Sequence, residues 1–355
     1  MGTHRPFQDR VARAVMRTVG ALPARAQRAL GGRPVRIDGQ ELHPEIQLAL
    51  RLLHLTAGKT FEQLPLSRGR AQISSEAWVF GDRRPVTTVR DLTVPGPAGP
   101  LPARLYSPSG LSGPSALLVY FHGGGWVLGD LESADSACRF LAVHAGLSVL
   151  SIDYRLAPED PFPAGVEDAV AAFRYAVGHA ESLGADPVAI GVGGESAGGN
   201  LAAVVSQITH AEPGPAPAFQ LMFFPVTDLS TKHASYRLFS EGFFLTEAQM
   251  DWYRDHYLSG PRDAVDPRAS PLLADELTGL PPAYVAVAGF DPLRDEGEAY
   301  ARRLEAAGVP VTLRRHSGLV HGVVNATGVG NTGREALLDA AAALRTGLTA
   351  LAGAR

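Results

Sequence analysis

The stretch that most constrains this chain is residues 188–201, VAIGVGGESAGGNL. β-Branched and small apolar residues end at Gly193-Gly194, Ser196 stands inside Gly194-Glu195-Ser196-Ala197-Gly198, and a helix-compatible segment follows at once. A serine at the apex of so sharp a strand-to-helix turn holds a strained backbone. Its neighbours two residues away on each side must then lack a Cβ, so that the flanking segments can pass closely. Gly194 and Gly198 meet that requirement. Such a turn lifts the Ser196 hydroxyl above a sheet and sets the Ala197 N–H at a helix N-terminus, where it can meet a developing oxyanion. Gly-x-Ser-x-Gly also recurs in ordinary turns, and it is the strand-turn-helix setting that favours a nucleophile.

A serine hydroxyl is a poor nucleophile until a base takes its proton, and the base must be held in one tautomer by a third group. Asp291 follows directly on the strand pattern YVAVAGF, and His321 follows the last strand pattern, in SGLVHGV. The carboxylates of Asp295 and Glu296 compete with Asp291, which is preferred because it lies nearest the strand end. Oxyanion donors are expected from His122-Gly123-Gly124-Gly125-Trp126, where three glycines at the end of the apolar run ALLVYF leave backbone amides open to a substrate carbonyl.

Along the chain, apolar runs alternate with helical periodicity. Helices are expected over about 131–145, 164–183, 293–307 and 332–351 and after Ser196, with strands between them. That βαβ rhythm implies a mostly parallel central sheet flanked by helices, entered through a strand pair at VTTVRDLTV and LPARLYSP. Residues 1–75 read as helical and precede any strand, and residues 76–355 read as the main domain. The aromatic-rich segment at about 228–261 reads as helical material inserted over the carboxyl edge of the sheet, where ligands bind in open α/β folds. Phe243 and Phe244 there, and Trp126, are candidates to line a substrate pocket, plain packing being the alternative.

With those motifs in hand, the chain resembles the bacterial hormone-sensitive-lipase family of carboxylesterases, which have the α/β-hydrolase fold. The resemblance rests on HGGGW (122–126), DYRLAPE (153–159), GESAGG (194–199), DPLRDE (291–296) and HG (321–322), in family order over some 200 residues. It implies Ser196 as nucleophile, His321 as base and Asp291 as its orienter. Gly124, Gly125 and Ala197 become oxyanion donors with Gly123 as a further candidate, and the N-terminal helices and the insertion form a cap. The implied reaction is hydrolysis of short- to medium-chain acyl esters through an acyl-enzyme, without cofactor or metal. Glu195 stands where the family more often has aspartate, and Val323 where an aromatic is common. A non-catalytic small-molecule receptor of the same fold, or an amide or lactone hydrolase, are the alternatives. The presence of His321 argues against the receptor.

Composition closes off other classes. A net charge of −4 gives no general attraction to nucleic acid, and one cysteine, Cys138, allows neither an intrachain disulfide nor a cysteine-rich metal site. With no signal-peptide pattern, a cytoplasmic location is expected, and a homodimer is left open. The first 36 residues nevertheless carry eight arginines against one acid, Asp9. Phe7, Val11, Val15 and Val19 recur every four residues with Arg10, Arg13 and Arg17 on other faces, an amphipathic helix. A lid or packing helix, its stripe buried over the catalytic cleft, is preferred over a membrane-surface anchor, so membrane association is not expected.

Overall fold

The computed structural model describes residues 6–56, 58–111 and 113–352. Its centre is an eight-stranded sheet in the order β10-β9-β8-β7-β5-β6-β4-β3. The strands are β3 (Thr88–Gly96), β4 (Gly99–Ser107), β5 (Ser115–Phe121), β6 (Ser148–Ile152), β7 (Ala185–Glu195), β8 (Gln220–Phe223), β9 (Ala283–Phe290) and β10 (Val311–Val320). Only β4 runs against the others. The expected mostly parallel sheet is therefore what the chain forms.

Burial explains the run of apolar residues in the middle strands. Every residue of β5 and β9 is buried, as a parallel strand covered on both faces requires. Alternate side chains divide between two cores: Leu117, Val119 and Phe121 lie with Phe173, Leu201 and Leu304 on one face. Leu118 and Tyr120 lie with Leu141 and Leu337 on the other. The first set of helices is α6 (Ala164–Gly178), α7 (Ala197–Ala211) and α11 (Arg294–Ala306), and the second is α5 (Leu131–Ala145) and α12 (Thr332–Leu344). Helix α5 starts where Asp130 and Ser133 cap each other reciprocally and stops at Gly146 in a left-handed conformation, φ 69°.

The N-terminal segment holds α1 (Phe7–Gly20), α2 (Ala24–Gly31), α3 (Pro44–Thr56) and α4 (Leu66–Phe80). It is not wholly helical. Asp38 and Gly39 both take positive φ, 52° and 72°, and close a two-residue turn between β1 (Arg36–Ile37) and β2 (Gln40–Glu41). An Asp-Gly pair suits that turn because both positions need left-handed backbone. Helix α4 also runs five residues past the expected boundary at 75. The insertion carries α8 (Ala234–Leu238), α9 (Glu247–Tyr257) and, just beyond it, α10 (Pro261–Ala264). The two segments meet: the Phe61 ring lies 5.5 Å from Trp252 and 5.2 Å from Tyr253.

Helix α1 forms as its periodicity predicts, but it faces the other way. Its buried residue is Met16, which joins Val79 and Val329, while Phe7 is 78% exposed, Val11 45% and Val15 46%. The expectation that this stripe is buried over the cleft is overturned. Arg13, not a valine, reaches the neighbouring helix, its guanidinium 4.5 Å from the Trp78 ring centroid and donating to the Trp78 carbonyl. A cation–π contact with a carbonyl acceptor anchors the polar face. Arg5 lies outside the described residues.

Candidate active site

Four parallel strands deliver the expected residues to one edge. His122 follows β5, Ser196 follows β7, Asp291 follows β9 and His321 follows β10, each directly after the last strand residue. All four therefore sit at the carboxyl ends of their strands, the edge where open α/β sheets bind ligands.

Ser196 caps α7 with φ 55° and ψ −118°, a conformation that L-residues rarely adopt. The flanking glycines are required by close approach: a Cβ on Gly198 would fall on the Phe121 carbonyl, and one on Gly194 on the same oxygen and on the Gly198 backbone. The Ser196 N–H donates to the Phe223 carbonyl at 2.9 Å, and the next ring along, Phe224, lies 4.6 Å from the His321 ring. That brings Ser196 and His321 to the same short segment at the end of β8. No hydrogen bond joins the Ser196 hydroxyl to His321 among the described residues, the looser geometry common before substrate binds.

His321 Nδ1 lies 2.8 Å from Asp291 Oδ2. With Asp291 ionised, Nδ1 carries the proton and donates it, leaving Nε2 as the acceptor. The second carboxylate oxygen of Asp291 accepts the Leu293 N–H at 2.9 Å, so the group is fixed at both ends. The competing carboxylates are committed elsewhere. Asp295 accepts from the Ser235 N–H and from Arg294 Nε, each at 2.8 Å. Glu296 is fully buried and accepts from the Thr227 and Asp228 N–H groups at 2.7 and 3.3 Å.

Burial pushes the Glu296 carboxyl well above the usual range, opposed by those two N–H donors. The folded state thus binds this proton more readily than the unfolded chain does. Above the ordinary glutamate value the buried group costs stability, and the cost grows as pH rises toward the folded value. Glu296→Gln removes that titration, so its melting temperature relative to the parent should move in its favour between pH 4 and pH 7, roughly spanning the ordinary glutamate value. A difference that stays flat with pH would refute this.

The glycine loop holds the N–H groups of Gly124 and Gly125 free of any protein acceptor among the described residues, as is that of Ala197. Gly124 and Gly125 take φ 107° and 59°, which glycine alone adopts easily, and a Cβ on Gly125 would strike the Tyr253 ring. Gly123 differs. Its N–H is already donated to Glu195 Oε1 at 3.2 Å, which withdraws it from the donor set. Glu195 also accepts from Asn325 Nδ2 at 2.7 Å and from the Tyr120 hydroxyl at 3.3 Å, and burial pushes its carboxyl up against the donors from Asn325 and Gly123. It therefore ties the glycine loop, the serine turn and the segment after His321 into one unit.

Sequence reasoning noticed Glu195 only as a departure from aspartate and missed Asn325, whose sole signal is its place four residues after His321. It also missed Arg70 of α4, which grips both oxygens of Glu159 at 2.8 and 2.7 Å and donates to the carbonyls of Val127 and Ala157. Tyr154, in the DYRLAPE motif, braces the start of the glycine loop: its hydroxyl donates to the His122 carbonyl at 2.8 Å.

The chain is similar to known proteins. A family model described as alpha/beta hydrolase fold matches residues 118–325. Carboxylic ester hydrolase LipN of Mycobacterium tuberculosis is 45% identical, over 97% of this chain and 94% of its own. The chain belongs to the hormone-sensitive-lipase family of α/β-hydrolases. It is a carboxylic ester hydrolase. An ethyl acetate hydrolase of Pseudomonas putida is 38% identical over 79% of this chain and 91% of its own. Among solved structures, an ester hydrolase from the metagenome of Lake Arreo, complexed with a bipyridine phosphonate derivative, superposes with a TM-score of 0.84 at 43% identity. It covers 86% of this chain and 98% of its own.

The aromatics of this esterase divide. Trp126 is buried and stacked on Tyr257, ring centroids 4.1 Å apart. Phe243 is half-buried against Phe239 and Phe290, a core role. Phe244, 44% exposed, is the one of the three that sits beside the site, where a Cβ on Gly322 would lie 3.2 Å from its ring.

Proposed function

We propose that this esterase hydrolyses short- to medium-chain acyl esters by two acyl transfers, first to Ser196 Oγ and then to water. The observation that carries the reading is the Ser196 backbone, held at φ 55° on a non-glycine residue at the head of α7. Such strain costs on the order of 1–3 kcal/mol and persists only where the surrounding fold over-determines it. His321 Nε2 takes the Ser196 proton as Oγ adds to the ester carbonyl carbon, and the N–H groups of Gly124, Gly125 and Ala197 receive the resulting oxyanion. Collapse breaks the C–O bond to the alcohol, which leaves with the proton from His321. A water then loses a proton to His321 Nε2 and attacks the acyl-enzyme, and the second collapse returns the proton to Ser196 and frees the acid. Asp291 holds His321 in the required tautomer and stabilises its cationic form.

The preference for shorter chains is supported by the cover over the site. Ser196 is 7% and His321 8% exposed, with Tyr253 of the insertion against Gly125 and Phe244 against Gly322. The N-terminal segment and the insertion act together as the cap. The Pseudomonas putida relative is named for a short ester, ethyl acetate. Turnover across p-nitrophenyl esters should be highest for acetate to hexanoate and fall steeply by palmitate, with matched anilides and lactones turned over more slowly. A maximum at palmitate, or faster anilide cleavage, would overturn this reading.

Gly125→Ala keeps the amide but drives a methyl group into the Tyr253 ring at a left-handed position. Displacing one oxyanion donor costs roughly a hundredfold in kcat. The double change with Tyr253→Ala should recover part of that loss; an undiminished kcat in Gly125→Ala would remove Gly125 from the hole.

A further inference from the structure

We propose that the outer face of α1 docks this enzyme on an anionic lipid surface, with the helix lying in the plane of the headgroups. At 3.6 residues per turn, Phe7, Val11, Ala14 and Val15 fall on the side of α1 opposite Asp9, Arg13 and Met16. The second set is turned to the protein, and the first is exposed. Nothing among the described residues covers this apolar stripe.

Charge selects the occupant. Arg10 borders the stripe on α1, and Arg25 and Arg28 stand exposed on α2, which follows after three residues. None of the three is in an ion pair among the described residues, and Asp9, the sole acid before residue 38, is on the inward side of α1. An apolar stripe bordered by the unneutralised Arg10, with no carboxylate of α1 on its side and two more unpaired arginines exposed on the next helix, matches a surface that is apolar a few ångströms down and negative at the top. Nucleic acid would answer the charge and leave the stripe unpartnered. A second copy meeting this face through a two-fold axis would set arginines against arginines. No described helix is long and apolar enough to cross a membrane, so the contact is a surface one. The proposal is independent of the hydrolytic reading.

The test is co-sedimentation of the full chain with vesicles of phosphatidylcholine alone and of phosphatidylcholine with phosphatidylglycerol. Binding to the anionic vesicles only, weakening steeply with added salt, is expected. The triple change Phe7→Ser, Val11→Ser, Val15→Ser should abolish it. Arg10→Gln, Arg25→Gln, Arg28→Gln should weaken it on the order of a hundredfold, about fivefold for each arginine near a charged surface. Both variants alter exposed side chains and should hydrolyse p-nitrophenyl acetate in vesicle-free buffer at the parent rate. The proposal is overturned by no binding, by equal binding to both vesicles, or by binding that survives both triple variants. It is equally overturned if light scattering finds a dimer that the serine variant dissolves while vesicles bind nothing.

Discussion

Ser196→Ala should lose on the order of a millionfold in kcat while its KM for a soluble ester changes little. The size follows from the unit in which the serine works: with no nucleophile, His321 and Asp291 have nothing to activate, and only the oxyanion donors and binding remain. Folding should be spared. Alanine inherits the same left-handed strain as serine at φ 55°. Ser196→Gly offers a complementary reading, since glycine takes that conformation without steric cost. It should be as inactive as the alanine variant yet more stable, by about 1 kcal/mol. A glycine variant less stable than the alanine variant would show that the backbone there is not strained as described.

Asp291→Asn should lower kcat by roughly ten-thousandfold with substrate binding largely intact. An asparagine amide in place of Oδ2 offers a donor to His321 Nδ1, which then accepts, and Nε2 carries the proton and cannot take one from Ser196. Asp295→Asn should stay within a few-fold of the parent, because Asp295 serves the Ser235 N–H and Arg294 away from the imidazole. If Asp295→Asn proved the more damaging, the orienting carboxylate would be misassigned.

The strand-to-helix turn at Ser196, the succession of parallel strands and the chain order of Ser196, Asp291 and His321 were legible because each is written locally. Glycines mark where backbones touch, and apolar runs mark buried strands. Where the outcome depends on a distant partner, periodicity was silent. The valine stripe of α1 predicts amphipathicity and not which side faces the protein; that was decided by Arg13 finding the Trp78 ring and carbonyl 65 residues away. Gly123 looks like its two neighbours in the sequence, and only the approach of Glu195 from another strand takes up its N–H. Trp126 ends a motif beside the site, and its stacking on Tyr257 of α9 turns it inward. Phe243 and Phe244 are adjacent, yet one joins the core and the other stands beside Gly322, with a backbone at φ 76° separating them.

Acylation of Ser196 is the centre of the account, and peptide mass mapping after inactivation with a p-nitrophenyl phosphonate tests it most directly. The reagent transfers its phosphonyl group to an activated serine and releases one equivalent of p-nitrophenol. The added mass should fall on the peptide containing Gly194-Glu195-Ser196-Ala197-Gly198, in step with loss of esterase activity. It should be absent from Ser196→Ala. A label on another residue, with Ser196→Ala retaining full activity, would contradict the account.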